Sequence, residues 1–126
     1  MDTRSKILTL DEAARISDRR RVVLVTGYFD VLLASHVRRL EEIAASHLRH
    51  DMMVAVLDPP RPLLPAVARA ELVAALRVVD YVVSAGSMQP EQILARIQAD
   101  RVIGEEAAHI ERSSALIEHV RRRQSA

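Results

Sequence analysis

The chain has no cysteine, so disulfides, thiolate catalysis and cysteine-based zinc sites are excluded. Lysine is almost absent too. Seventeen of the eighteen basic residues are arginine and Lys6 stands alone, so chemistry that needs an ammonium on a phosphate has one side chain to draw on. Aromatics are confined to Tyr28, Phe29 and Tyr81, too few for the base-stacking platform of a single-strand binder. The net charge of +1 lacks the basic footprint of a nucleic-acid-binding domain. No apolar run approaches the length that crosses a bilayer. The polar opening MDTRSKILTLDEAARISDRRR lacks the long apolar segment of a secretory leader. The expectation is a cytoplasmic protein with neither nucleic acid nor membrane as partner.

What is present is an ordinary globular composition, 49% apolar and 28% charged. A length of 126 residues suits one domain with one core. VVLVT, from Val22, is rich in β-branched residues and reads as a buried strand. MMVAVL from Met52 and YVVS from Tyr81 read the same way, and RVI from Arg101 is a shorter candidate. Helical stripes lie between and after them: Val37, Leu40, Ala44 and Leu48; Val67, Leu72, Val73 and Leu76; Ile93, Leu94 and Ile97; Leu116, Ile117 and Val120. Continuously apolar strands separated by helices predict βαβ units. The expected fold is α/β, a Rossmann-like three-layer sandwich with a parallel sheet of four to five strands and helices on both faces. Residues 1–126 are read as a single domain, with a lead-in helix over 1–20 and a frayed tail over 121–126.

Ligands of such sheets bind beyond the carboxyl ends of the strands. The first long strand ends at Thr26-Gly27, so the stretch TGYFDVLLASHVRRL is expected at the binding edge. His36 stands where a helix begins, and helix starts attract anions. Ser35 is suited to the cap of that helix. The proline-rich segment DPPRPLLP follows the second strand on the same edge, as a stiff connector or a rim of the site.

These segments together resemble the His-x-Gly-His nucleotidyltransferases, and most closely the bacterial heptose-phosphate adenylyltransferases and glycerol-3-phosphate cytidylyltransferases. KILTLDEAARI resembles the lead-in helix. VVLVTGYFDVLLASHVRRLEE resembles the strand, loop and helix of the signature. RPLLPAVARAELVAALRVVDYVV resembles the middle segment, RVIGEE a strand with its glycine-acid turn, and RSSALIEHV the motif that opens the last helix. The resemblance implies attack of a sugar phosphate or alditol phosphate on the α-phosphorus of ATP or CTP, with pyrophosphate leaving. It implies magnesium accompanying the triphosphate, no protein-bound metal, and a homodimer. A catalytically inactive nucleotide- or phosphate-binding module, or a structural homodimer, is the alternative.

Carried onto this sequence, the resemblance assigns His36 to catalysis. It assigns Thr26, Gly27, Tyr28, Phe29, Arg69, Gly104, Glu105, Ser113 and Ser114 to the nucleotide. The signature quartet here is Leu33-Ala34-Ser35-His36, so the first histidine and the glycine are replaced. The family lysine after the second strand is absent, and Ala115 stands where a third hydroxyl is expected. The stretch from Gly104 to Arg112 is too short for a further strand with ordinary turns. Competing readings are plain. Arg69 suits an ion pair, Glu105 and Glu106 suit surface carboxylates, Asp30 suits a turn cap, Arg38 and Arg39 suit a solvated face, and Ser113 and Ser114 suit a helix N-cap. His47 and His50 permit a metal pair by spacing but lack a third ligand.

Overall fold

A computed structural model of the chain describes residues 2–32 and 34–111. Leu33, Ser113, Ser114 and the stripe of Leu116, Ile117 and Val120 therefore lie outside the described residues.

The lead-in segment is not one helix. Residues Thr3–Lys6 form a 3-10 turn and Ile7–Leu8 a short strand, β1, before α1 runs over Leu10–Arg19. Local chemistry sets that boundary. Thr9 Oγ1 accepts from the Glu12 amide and Glu12 Oε1 accepts from the Thr9 amide, each at 3.1 Å. This reciprocal cap leaves Ile7 and Leu8 outside the helix, where they pair with an open sheet edge.

The remaining elements alternate: β2 (Val22–Gly27), α2 (Ala34–Ala45), β3 (Asp51–Leu57), α3 (Ala66–Ala74), β4 (Tyr81–Gly86), α4 (Pro90–Leu94) and β5 (Arg101–Gly104). A helical turn covers residues 106–111. The five strands are all parallel, in the order β1-β4-β3-β2-β5. β2 and β3 are buried on both faces, which explains their unbroken apolar runs. One core layer joins Val23, Val25, Met52 and Val54 to Leu40 and Ile43 of α2 and to Ala70 and Val73 of α3. The other joins Val22, Leu24, Met53 and Ala55 to Ala13 of α1 and Ile93 of α4. The expected three-layer α/β sandwich is present.

The helical stripes need correction in detail. Leu48 lies beyond the end of α2 and is 87% exposed. Helix α3 buries Arg69, Ala70, Val73 and Ala74, leaving Val67 and Leu72 outside. At 3.6 residues per turn the inward face passes through Arg69. A stripe drawn only through apolar side chains missed it. Helix α2 starts at Ala34, so Ser35 lies inside the helix and is not its cap.

Strand order places the site. The chain moves from β2 to β3 to β4 on one side, then crosses back so that β5 pairs with the other edge of β2. The order reverses between β2 and β5, where Thr26 lies opposite Gly104. This is the switch point at which such sheets open a crevice.

Candidate functional site

Beyond β2 the backbone turns sharply. Phe29 has φ 47°, a left-handed conformation that an aromatic residue rarely adopts. The turn aims two consecutive amides at one atom. Tyr28 N–H and Phe29 N–H both donate to Nδ1 of His109, at 3.0 and 3.3 Å. Gly27 makes room for that ring. A Cβ there would stand 2.4 Å from His109 Cε1 and 2.9 Å from the Phe29 ring, a clash that the His109 ring relieves only by giving up its place.

His36 sits in the first turn of α2 and is 1% exposed. Its ring is 4.5 Å from that of His109 and 6.1 Å from that of Phe29, centroid to centroid. Phe29 and His109 are 4.3 Å apart. The structure thus brings His36 to the end of β2, as the sequence suggests, but packed within an aromatic cluster. His109 was not among the expected residues. Its only signal is helical spacing, one turn after Glu105, whose carbonyl accepts from the His109 amide.

Arg69 reaches the same edge from α3 and is consumed there. Nη1 donates to the carbonyls of Leu57 (2.7 Å) and Tyr28 (3.2 Å), Nε to that of Leu64 (3.1 Å), and Nη2 to Asp58 Oδ1 (2.5 Å). The side chain is 1% exposed. Its fork ties the end of β2, the end of β3 and the proline-rich loop into one unit. Asp30 performs a related task, with its carboxylate accepting from the amides of Leu63 (2.8 Å) and Leu64 (2.9 Å). The proline-rich segment is thereby clasped to the β2 edge.

On the β5 side, the Glu105 amide donates to the Thr26 carbonyl at 2.8 Å. Its carboxylate, buried, accepts from Arg39 Nε at 2.5 Å. That hydrogen bond holds the Arg39 guanidinium more firmly protonated, against the opposing effect of burial. Arg39 therefore does more than solvate its helix, whereas Arg38 is exposed. Gly104 lies against Glu106, whose Oε2 would be 2.9 Å from an added Cβ. A cavity of about 260 Å³ opens beside these groups, lined by Tyr28, Leu57, Asp58, Ser87, Met88 and Glu106 among others. The Ser87-Met88 turn was not anticipated, because only the fold brings it to Tyr28.

His47 Nδ1 lies 2.7 Å from the Ile43 carbonyl, and His50 Nε2 lies 3.1 Å from Asp100. Among the described residues no group of three or more histidine, aspartate or glutamate side chains is arranged to hold a metal ion. No described helix is long and apolar enough to cross a membrane.

No protein-family model matches the chain. Curated relatives do. The bifunctional protein HldE of Chromohalobacter salexigens is 34% identical over 105 residues, covering 75% of this chain and 22% of that protein. HldE of Ectopseudomonas mendocina is 33% identical over 111 residues (77% and 23%), and HldE of Pseudomonas fluorescens 32% over 106 residues (77% and 22%). The chain's match thus spans less than a quarter of each of these relatives. Over about three quarters of its length the chain is homologous to one part of HldE, and this relationship, with the parallel sheet and the switch-point loop, is consistent with the cytidylyltransferase-like superfamily of nucleotidyltransferases.

Proposed function

We propose that the chain is a slow nucleotidyltransferase module. It takes ATP or CTP at the β2–β5 switch point and passes the nucleotidyl group to a sugar phosphate or alditol phosphate, releasing pyrophosphate. The observation that carries this reading is the meeting of Gly27, two converging amides and the His36 imidazole at the carboxyl end of β2. Backbone amides presented in this way bind phosphate oxygens.

The donors that a triphosphate needs are engaged within the protein. The Tyr28 and Phe29 amides serve His109, and the Arg69 fork serves carbonyls and Asp58. Magnesium would accompany the triphosphate, as the resemblance to the nucleotidyltransferases implies. The replacement of a signature histidine by Leu33 and the missing lysine each remove a charge-stabilising donor. Loss of one such donor costs on the order of 10²–10³ in rate, which is why slow turnover is proposed.

The burial of Arg69 favours a second reading, binding of a nucleotide or phosphate without turnover. A homodimer belongs to either reading; Leu63 and Val67 form exposed apolar surface beside the site. The test is a thermal-shift screen with ATP and CTP, with and without magnesium, followed by a pyrophosphate-release assay with phosphorylated sugars and alditols. Stabilisation with release that is lost in His36→Ala is the expected outcome. Stabilisation without release leaves the second reading, and neither effect removes both.

A further inference from the structure

The loop after β2 is built to aim two adjacent N–H groups at a single point. Phe29 holds a left-handed conformation to do so, and such residues cluster where backbone geometry serves a ligand. Consecutive amides converging on one position form a concavity whose natural guest is an anionic oxygen. The atom at that position is His109 Nδ1, a neutral acceptor. Accepting two N–H bonds identifies Nδ1 as the unprotonated nitrogen of the ring. The ring lies flush on the bare Cα of Gly27 and against the rings of Phe29 and His36. It is delivered by the turn of residues 106–111. That turn is tethered to the sheet by the Glu105 amide on Thr26 and the Glu105 carboxylate on Arg39.

We infer that His109 is a resident competitor for the phosphoryl oxygen that the proposed function brings to the paired amides of Tyr28 and Phe29. Imidazole nitrogen and phosphate oxygen need the same two donors, so one excludes the other. Exchange replaces two neutral hydrogen bonds with two charge-assisted ones, which are shorter and stronger. The ring must leave its contacts with Phe29 and His36 for this to occur. Access of a pyrophosphoryl group to the β2 edge is thus set by how readily residues 106–111 release one side chain. The inference rests on the phosphate-binding reading of this edge and adds the group that controls it.

Inorganic pyrophosphate, without magnesium, is the probe. Calorimetric titration compares the wild-type chain with His109→Ala, with circular dichroism confirming that the variant is folded. The variant is expected to bind on the order of thirtyfold more tightly, the factor for two ordinary hydrogen bonds that no longer have to be broken. Binding equal to or weaker than wild type overturns the inference. Backbone NMR of the wild-type chain gives a second reading that needs no variant. Saturating pyrophosphate should shift the Tyr28 and Phe29 amides together with the His109 ring protons. No movement of those signals at the highest soluble concentration overturns it independently. Nucleotides that stabilise the protein without moving those amides sink this inference alone. Pyrophosphate that moves them when no nucleotide binds sinks the proposed function alone.

Discussion

Arg69 is the side chain whose role the fold states most directly, and Arg69→Met tests it. Methionine has comparable length and no fork. The substitution strips donors from the carbonyls of Tyr28, Leu57 and Leu64 and leaves Asp58 without its cation. A hydrogen bond from a charged group contributes roughly 1.5–3 kcal/mol, but four bonds from one fork do not add. Asp58 keeps about a third of its side chain in water and rehydrates in part. Removing one partner of a buried ion pair costs about 3–5 kcal/mol, and the lower half of that range suits this half-open acid. For a domain of this size the loss lowers Tm by roughly 10–15 °C. Urea unfolding and thermal melts measure it directly. Arg69→Lys restores charge without the planar fork and should recover only part of the loss. An Arg69→Met protein that melts within a few degrees of wild type, yet loses stabilisation by nucleotide, would refute this reasoning and return the guanidinium to the ligand.

Four further outcomes follow from the same contacts. Gly27→Ala drives a Cβ to 2.4 Å from His109 and should cost about 1–3 kcal/mol; a double-mutant cycle should show a smaller cost in a His109→Ala background, and equal costs would break the link. Asp30→Ala orphans the Leu63 and Leu64 amides, costing about 2 kcal/mol, and unchanged hydrogen exchange at those two amides would contradict it. The Thr9 amide holds the Glu12 carboxyl below its ordinary value of 4.5, so its contribution is present above that value and fades as pH falls through the lowered one; Glu12→Gln should flatten that part of a Tm–pH curve. Burial, then the neighbouring Asp51, raise the Tyr81 phenol above its ordinary 10.0. The unfolded chain therefore ionises first, stability is lost as pH climbs past 10.0, and Tyr81→Phe should remove that loss.

The legible parts of this chain are those in which a local pattern and a global role coincide. β2 and β3 carry long apolar runs because both of their faces are covered, so the run of side chains announces the layer. Thr26, Gly27 and His36 fall where a strand ends and a helix begins, and that junction is written in consecutive residues. Ile7 and Leu8 were hidden because two residues carry no period; only the open edge of β4 makes them a strand. Arg69 points inward through a helix face that hydropathy marks as polar at that position, because its partners are carbonyls brought from the end of β3 and from two loops. Asp30 was visible as a turn residue, but its partners lie more than thirty positions away.

The sequence by itself determined the α/β class, the parallel sheet and the edge at which the candidate site lies, since periodicity and βαβ order depend only on neighbours along the chain. The tertiary structure alone decided what fills that edge. His109 is eighty residues from Phe29 in the chain, and no local pattern predicts that its ring nitrogen accepts both amides of the turn after β2. Contacts of that range are set by strand order. β5 returns to the far side of β2 and carries the turn of residues 106–111 across Gly27.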